Sequence, residues 1–363
     1  MPVDMPAPAY WFLVGTRRLA PLWRQLGRLE ALSLGRRYRD AVIDRPVYVY
    51  GIARSGTTIT LEILSRHPDA AIQQYRDMVF PFLPYWWRRF GPKTAGLVGD
   101  TPQERPHGDG IIVTSESVET VEEPLWQSVL GERLHEETRS NLMTAEDSHP
   151  RFEAVYRDYL RKLIACQPGH RFTTKNNYYV ARAAYLKRLF PDARLCLVVR
   201  DPVTHIGSLM RMDRKLAHVN EANIRVMRGL GHWEFGPGKR FVNCGDDEAI
   251  REVRRLLAAG RVPQAWARYW ASVYGFLHSQ LGQDAALERD TLIVRHEDLC
   301  ARPGEQVDRL LAHAQHDPTP FGEWRDHYVR TLRTPDYYEP PFSAAEREDI
   351  RAITREAAAA FGY

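Results

Sequence analysis

The first residues that could do chemistry lie in a glycine-bounded loop between two apolar segments. Residues 51–58 read G-I-A-R-S-G-T-T, after an apolar, β-branched and aromatic run at 46–50 and before apolar residues at helical spacing in 59–64. This order predicts a strand, a loop and a helix, an arrangement that directs backbone N–H groups and a helix N-terminus toward an anion. Ser55, Thr57 and Thr58 add hydroxyl donors, and the guanidinium of Arg54 can bind two oxygens of one phosphate or sulfate.

The spacing of Gly51 and Gly56 matches the nucleotide-binding pattern G-x-x-x-x-G-K-[ST], but Thr57 occupies the lysine position. That lysine normally reaches the β- and γ-phosphates of a triphosphate. We therefore expect an anion other than a nucleoside triphosphate, held by one arginine, several hydroxyls and backbone amides. An ordinary turn between a strand and a helix is the alternative explanation.

Two later segments place further polar residues at the ends of predicted strands. Residues 193–199 form the clearest buried strand and continue into Arg200, Asp201 and Pro202. Asp201 suits an N-cap and Pro202 a first helical residue, which puts Ser208 about two turns, roughly 9 Å, further along that helix. Residues 171–177 are predicted to end another strand, and a third strand at 291–295 is followed by H-E-D-L at 296–299.

Strands separated by helices, with the loop at the carboxyl end of the first strand, indicate an α/β fold. We expect an open, mostly parallel central sheet flanked by helices, forming one domain over residues 46–363. Residues 1–45 are predicted to form a basic, amphipathic helical arm, with eight arginines against four acidic residues. We expect the arm to pack on the main domain; peripheral contact with an acidic membrane surface is the alternative.

Composition excludes several other classes of protein. The remaining chain balances 42 basic against 42 acidic residues, which does not imply a nucleic-acid partner. The four cysteines are scattered without a C-x-x-C pair, so we expect neither a disulfide framework nor a metal knuckle, and a cytoplasmic location. The apolar run at 10–14 is too short to span a bilayer. No oligomeric state is indicated.

The loop at 51–58, the R-D-P-x-x-x-x-x-S segment from Arg200 to Ser208 and R-H-E-D-L at 295–299 together resemble the sulfotransferases that use 3′-phosphoadenosine 5′-phosphosulfate (PAPS). The resemblance is closest to the bacterial branch with R-S-G-T-T and covers most of residues 46–302. It implies that PAPS is the donor, that 3′-phosphoadenosine 5′-phosphate (PAP) is the product, and that no metal takes part. It also implies an acceptor that offers a hydroxyl or amine, and a small molecule such as a sugar or a glycolipid is one candidate class.

The resemblance also implies a role for each matched residue. The 5′-phosphosulfate would bind Arg54, Ser55, Gly56, Thr57 and Thr58. The 3′-phosphate would bind Arg200 and Ser208. Arg54 would stabilise the leaving oxygen, with Lys175 as the second candidate, although Lys175 is equally explained as a solvated lysine.

The general base is the point at which the sequence departs from the family. Cytosolic relatives place a histidine where this chain has Asn177, and another branch uses a glutamate near the positions held here by Gln74, Tyr75 and Asp77. The candidates are therefore Asp77, His107, Glu122 and Glu123.

Glu122 and Glu123 rank first among these candidates because the bacterial branch shares an E-E motif before an apolar helix. A capping box from Thr120 to Glu123 explains Glu119 and both ranked glutamates equally well. Ser343–Glu346 fits a second capping box.

The acceptor is not specified, although the aromatic residues in 75–90 and the loop near Trp233 would suit a sugar, a glycolipid or a phenolic ring alike. The glycine-rich segment at 91–110 is predicted to be a long loop, of a length that is often functional. Two other functions are open. A P-loop kinase or nucleotide hydrolase would need a lysine at position 57 and magnesium. A nucleotide-binding module without transferase activity would not need a base.

Overall fold

A computed structural model describes residues 11, 15–16, 18–78, 80–91, 102–104, 112–119, 122–333 and 340–363. Seven strands are present in this part of the chain: β1 Val47–Tyr50, β2 Ala70–Ile72, β3 Gln103–Glu104, β4 Ile112–Val113, β5 Arg171–Lys175, β6 Arg194–Val199 and β7 Thr291–Arg295.

The helices of the described residues surround these strands. They are α1 Ala20–Leu34, α2 Arg36–Asp40, α3 Thr57–Ser65, α4 Pro84–Phe90, α5 Glu123–Leu130, α6 Pro150–Ala165, α7 Ala183–Leu189, α8 Pro202–Leu216, α9 Glu221–Gly229, α10 Asp247–Ala258, α11 Val262–Gln283, α12 Ala285–Arg289, α13 His296–Ala301, α14 Pro303–Ala314, α15 Gly322–Thr331 and α16 Ala344–Ala360. Short 3₁₀ segments span Tyr75–Met78, Glu132–His135, Asn177–Ala181 and Thr319–Phe321.

Five strands form one open sheet in the order β2-β5-β1-β6-β7, and every neighbouring pair is parallel. The predicted α/β fold with an open parallel sheet is therefore confirmed, and the sheet is parallel throughout. β2 is three residues long and carries no periodic signal of its own. Strands β3 and β4 form a separate antiparallel pair.

The side chains of the central strand β1 project alternately to the two faces of the sheet. Tyr48 and Tyr50 belong to a large core beneath one face, whereas Val47 and Val49 pack with Ile63 of α3 on the other. Side chains alternate along a strand, so each residue at the end of a strand projects toward one of these two faces. Since parallel strands also end at one edge, loops after β1, β5, β6 and β7 converge there.

The N-terminal helix α1 is attached to the main domain by a buried charge. Glu30 is fully buried, lies 3.4 Å from the ammonium of Lys162, and accepts a hydrogen bond from the Trp86 backbone at 2.8 Å. Burial raises the pKa of Glu30 above its usual range. Arg24 donates to the Ser128 carbonyl at 2.8 Å, and Tyr38 of α2 donates to Asp158 at 2.7 Å.

The predicted helix starts can be compared with the caps that form. Asp201 caps α8 by accepting from the Thr204 backbone, and Ser343 and Glu346 form the predicted capping box of α16. The prediction of a cap from Thr120 to Glu123 is wrong, because α5 begins at Glu123 and has no side-chain cap within the described residues. The carboxylate of Glu123 instead bonds to charged neighbours in the core. Thr120 itself lies outside the described residues.

Within the described residues, no helix combines the length and the hydropathy that a membrane crossing would need.

Candidate active site

The loop after β1 has the backbone shape of an anion cradle. Arg54 has φ 71° and Gly56 has φ 113°, so two left-handed residues flank Ser55. Alternating backbone handedness turns successive N–H groups toward one point. Gly51 fits closely under the neighbouring strand, because a Cβ there would overlap the carbonyl oxygen of Val198. The helix α3 that follows has no side-chain cap at its N-terminus among the described residues.

The hydroxyl side chains of the loop differ in exposure. Ser55 and Thr57 are buried, whereas Thr58 is partly exposed at the first turn of α3. Ser55 lies beside Gly51, near the position where Tyr274 donates to the Val198 carbonyl at 3.0 Å. The loop thus packs on the strands and on Tyr274, and its backbone lies at the carboxyl edge of the sheet.

The predicted loop arginine and the predicted helix serine meet directly. Arg54 Nε lies 3.4 Å from Ser208 Oγ on α8, and Arg200 donates to the Arg54 carbonyl at 3.3 Å. Arg200 follows β6, which is paired with β1 through Tyr50 and Leu197. The carboxyl edge of the sheet therefore carries, next to the loop at 51–58, two guanidinium groups, a hydroxyl and the N-terminal end of α3.

The R-H-E-D-L segment at 295–299 contacts both the start of α8 and the loop at 51–58. Glu297 accepts from the Asp201 backbone at 3.0 Å, which fixes the start of α8 against α13. The His296 ring lies under the loop, where a Cβ on Gly56 would come within 2.7 Å of its Nδ1. Burial, together with the charges of Arg200 and Arg54, lowers the pKa of His296 to about 3, so its imidazole is neutral. Sequence reasoning did not identify this histidine as a neighbour of the loop.

Lys175 lies at the end of β5, opposite Val49 in the register, and carries an ion pair. Its ammonium is 3.1 Å from a carboxylate oxygen of Glu119. Alternation along β5 places Lys175 on the sheet face of Val49, which is the face that α3 covers. Glu119 reaches this edge through its backbone, which donates to the Gln73 carbonyl at 3.1 Å. Sequence reasoning explained Glu119 by a helix cap and did not predict its pairing with Lys175, because the two residues are distant in the chain.

Glu122 is buried beneath the opposite face of the sheet, among aromatic residues. Its carboxylate accepts from Tyr156 at 2.9 Å, from Trp126 at 3.4 Å and from Tyr179. Tyr48 of β1 completes the cluster through its contact with Tyr156. Burial raises the pKa of Glu122 to about 7, against the lowering effect of these donors.

Glu123 is an ionised structural carboxylate. It accepts two hydrogen bonds from Arg182, at 2.8 and 3.0 Å, and one from Asn176 at 2.8 Å. His135 lies 2.8 Å away. Although burial opposes ionisation, the Arg182 and His135 interactions lower the pKa of Glu123 well below its usual range. Its contact with Asn176 fixes the 3₁₀ segment that carries Asn177.

Of the two remaining base candidates, the structure describes Asp77 alone. Asp77 is buried in an ion pair with Arg88 at 2.5 Å and accepts from the Gln74 backbone at 2.8 Å. His107 lies outside the described residues, as does most of the predicted 91–110 loop.

A narrow cleft beside the first half of the loop has room for about one water molecule, ≈ 10 Å³. Its walls are largely apolar and aromatic, and its polar groups are Asn177, Glu234 and Arg240. Asn177 donates to Glu234 at 3.1 Å, while Arg240 stacks over Trp233 at 4.1 Å. The predicted Trp233 loop therefore contributes to the cleft, and Glu234 is a polar residue there that the sequence did not single out. The cleft is lined by Ile52, Ala53, Asn177, Leu209, Glu234, Arg240, Phe241, Val242, Trp266 and Tyr269.

Comparison with known proteins agrees with this geometry. Among solved structures, sulfotransferase STF9 from Mycobacterium avium matches with a TM-score of 0.55 at 16% identity, over 90% of this chain and 79% of that one. Sulfotransferase STF1 from Mycobacterium tuberculosis H37Rv gives a TM-score of 0.46 at 15% identity, over 97% of this chain and 94% of that one. The first match has the same fold as this chain. No curated protein matches significantly.

A family model described as "Sulfotransferase family" matches residues 46–236, which is more than half of the 363 residues. The matched range contains the glycine loop, the end of β5 and the Arg200–Ser208 segment. These are the parts that the fold brings together at the carboxyl edge. The chain therefore belongs to the sulfotransferase family.

Proposed function

We propose that this sulfotransferase moves the sulfuryl group of PAPS to a hydroxyl or amine of a small acceptor, a sugar or glycolipid being one candidate class. The observation that carries the proposal is that Ser208 and Arg200 both reach Arg54 of the loop, the first at its Nε (3.4 Å) and the second at its backbone carbonyl (3.3 Å). A donor with phosphate at two positions needs two cationic groups near one helix N-terminus, and this edge of the sheet offers them.

The residues present fit this donor. Left-handed backbone at Arg54 and Gly56 and the uncapped N-terminus of α3 provide N–H groups for the 5′-phosphosulfate. Ser55, Thr57 and Thr58 stand in the same loop. Arg200 and Ser208 would hold the 3′-phosphate, where a guanidinium and a hydroxyl supply charge-assisted hydrogen bonds.

When bound, the donor supplies an activated sulfuryl group whose bond to the bridging oxygen breaks as the acceptor oxygen bonds to sulfur. The protein's part is to align the two oxygens and to stabilise the charge that develops between them. Arg54 is positioned to neutralise the leaving oxygen from the loop. Lys175 lies at the same edge and can share this charge, while its ion pair with Glu119 keeps the ammonium oriented.

We assign the general base to Glu119 in place of Glu122, Glu123 and Asp77. Glu123 and Asp77 are each held by an arginine in the core, whereas Glu119 is paired with Lys175, whose ammonium the bound donor would also attract. Glu122 lies beneath the face of the sheet that α3 does not cover. Glu119 lies on the loop's side, beside Lys175 and close to the sheet edge, where an acceptor hydroxyl must arrive.

The cleft beside Ile52 and Ala53 is our candidate for the acceptor. It adjoins the loop directly, and since its own space holds about one water molecule, a ring or an acyl group would lie against its aromatic rim. Asn177 and Glu234 add hydrogen-bonding groups for a hydroxyl. This arrangement suits an acceptor with one apolar face and one polar face.

The test uses the purified chain with sulfur-labelled PAPS and acceptors from three classes: sugars, glycolipids and phenols. We expect transfer to at least one class without ATP turnover. Arg54→Ala should reduce the rate by about 10²- to 10³-fold, as for other charge-stabilising donors.

Donor recognition is measured separately, by calorimetry, so that it does not depend on knowing the acceptor. Arg200→Ala should weaken PAP binding and leave binding of the analogue without the 3′-phosphate unchanged. Arg214→Ala, which changes an exposed arginine of α8, the helix that begins just after Arg200, is the matched control. Equal losses for both nucleotides, or tighter binding of ATP than of PAP, would contradict the proposal.

A further inference from the structure

We propose that the outward face of helix α1 binds an anionic lipid surface and holds the enzyme there peripherally. Four leucines of this segment are exposed, at 47% for Leu19, 49% for Leu22, 53% for Leu29 and 75% for Leu32. We call Leu22, Leu29 and Leu32 the leucine face. Leucines scattered singly on a surface need no partner, but three exposed leucines along one side of a helix, with a fourth at its N-cap, are more than scattering explains.

The leucine face lies opposite the face by which α1 packs on the main domain. At about 100° per residue, Leu22, Leu29 and Leu32 fall within an arc of roughly 80°, whereas Leu19, the N-cap, lies nearer the packed side. Leu26 and the residues Trp23, Gly27, Glu30 and Leu34, which are buried or packed on the core, project from the rest of the helix. Packing on the domain therefore leaves Leu22, Leu29 and Leu32 without an explanation.

The charges around the leucine face select the partner. Exposed arginines stand at 18, 28, 36, 37 and 39, whereas Glu30 is buried against Lys162 and Asp40 is the exposed acid among residues 18–40. Leucines flanked by arginines are the composition of helices that lie in a membrane interface, where the apolar side enters the acyl boundary and guanidinium groups bind lipid phosphates.

A second copy of the chain fits this face less well. A two-fold contact through α1 would place the arginines of one arm against those of the other, and like charges at an interface disfavour association. An anionic membrane offers apolar depth and opposite charge together. The contact requires no crossing of the bilayer, in keeping with the absence of a spanning helix among the described residues.

The experiment measures binding of the full chain to vesicles by sedimentation. Vesicles of phosphatidylcholine with about one third phosphatidylglycerol are compared with pure phosphatidylcholine. We expect binding to the anionic vesicles alone, and weaker binding at high salt because the arginine contacts are screened. The readout is independent of turnover, so it stands or falls separately from the proposed transfer reaction.

Two pairs of variants separate the apolar and the ionic contributions. Leu29→Ser with Leu32→Ser should reduce vesicle binding about tenfold or more, because two apolar side chains are lost from the interface. Arg36→Gln with Arg37→Gln should lower binding to anionic vesicles and reduce its salt dependence. All four positions are exposed, so folding should be unaffected.

Matched controls change similar side chains elsewhere. Val329→Ser removes an exposed apolar residue on α15, and Arg351→Gln with Arg355→Gln removes exposed arginines on α16. Both controls should bind vesicles like the unmodified chain. Absence of vesicle binding, equal binding by the leucine variants, or a dimer in solution that the leucine variants dissociate would each overturn the proposal.

Discussion

Glu119 is the general base of the proposed reaction, although no sequence motif singles it out. A substitution of this one residue therefore tests the proposed mechanism directly. Glu119→Gln keeps the size of the side chain and removes its capacity to accept a proton. We expect kcat to fall by about 10²- to 10⁴-fold with little change in donor affinity. The rate is measured with saturating donor, and PAP binding by calorimetry.

The matched control for Glu119 is Glu116→Gln, three residues earlier and with its side chain 72% exposed. It should transfer sulfate at the unmodified rate. If Glu119→Gln retains the full rate, Glu119 is not the general base, and Glu122 becomes the first candidate to test.

The raised pKa of Glu122 leads to a second prediction, which concerns how the free energy of unfolding depends on pH. Its pKa is raised to about 7 in the folded chain, because burial disfavours the charged form. The neighbouring Tyr48, Tyr156 and Tyr179 have pKa values raised well above 10 and stay neutral. Between pH 4.5 and 7 the folded state therefore holds a proton that the unfolded state has released. The contribution of this group to stability is present below pH 4.5 and is lost as the pH rises to 7.

Glu122→Gln should remove this pH dependence, because glutamine does not titrate. The free energy of unfolding is compared for the variant and the unmodified chain by urea denaturation at pH 5 and pH 8. Relative to the unmodified chain, the variant should gain up to about 3 kcal/mol on going from the lower to the higher pH. A difference that stays constant with pH would mean that Glu122 is ionised throughout.

At the scale of an element, helix α1 depends on the buried contact between Glu30 and Lys162. Lys162→Met should cost about 3–5 kcal/mol of unfolding free energy, because Glu30 is then buried without its partner. Adding Glu30→Gln in the same chain should recover part of this loss, since the unpaired charge is gone. Chemical denaturation measures both. A Lys162→Met variant as stable as the unmodified chain would show that α1 is attached by its apolar contacts.

The elements themselves were largely predictable because their signals are local. The strands at 47–50, 194–199 and 291–295 are apolar runs, and the starts of α8 and α16 are marked by Asp201 and Ser343. The start of α5 was not predictable, because Glu123 is drawn into the core by Arg182, a residue 59 positions away. A distant ion pair overrides the cap that the local sequence favours.

At the scale of the whole molecule, the site follows from topology more than from any single motif. Parallel pairing of β5, β1, β6 and β7 brings the glycine loop, Lys175, Arg200 and His296 to one edge. The sequence predicts this convergence, because strand order and hand are restricted for such sheets. It does not predict that Glu119 pairs with Lys175 or that His296 supports Gly56, because those contacts join segments with no shared periodicity.

The left-handed backbone of Arg54 implies a conflict between folding and activity within one residue. Any side chain at φ 71° carries a steric cost that glycine avoids. Arg54→Gly should therefore raise the free energy of unfolding by up to about 1 kcal/mol while transfer is lost, which denaturation and a transfer assay would detect together. A less stable Arg54→Gly variant would show that the loop is relaxed. Selection of this protein for thermal robustness alone would favour an inactive chain.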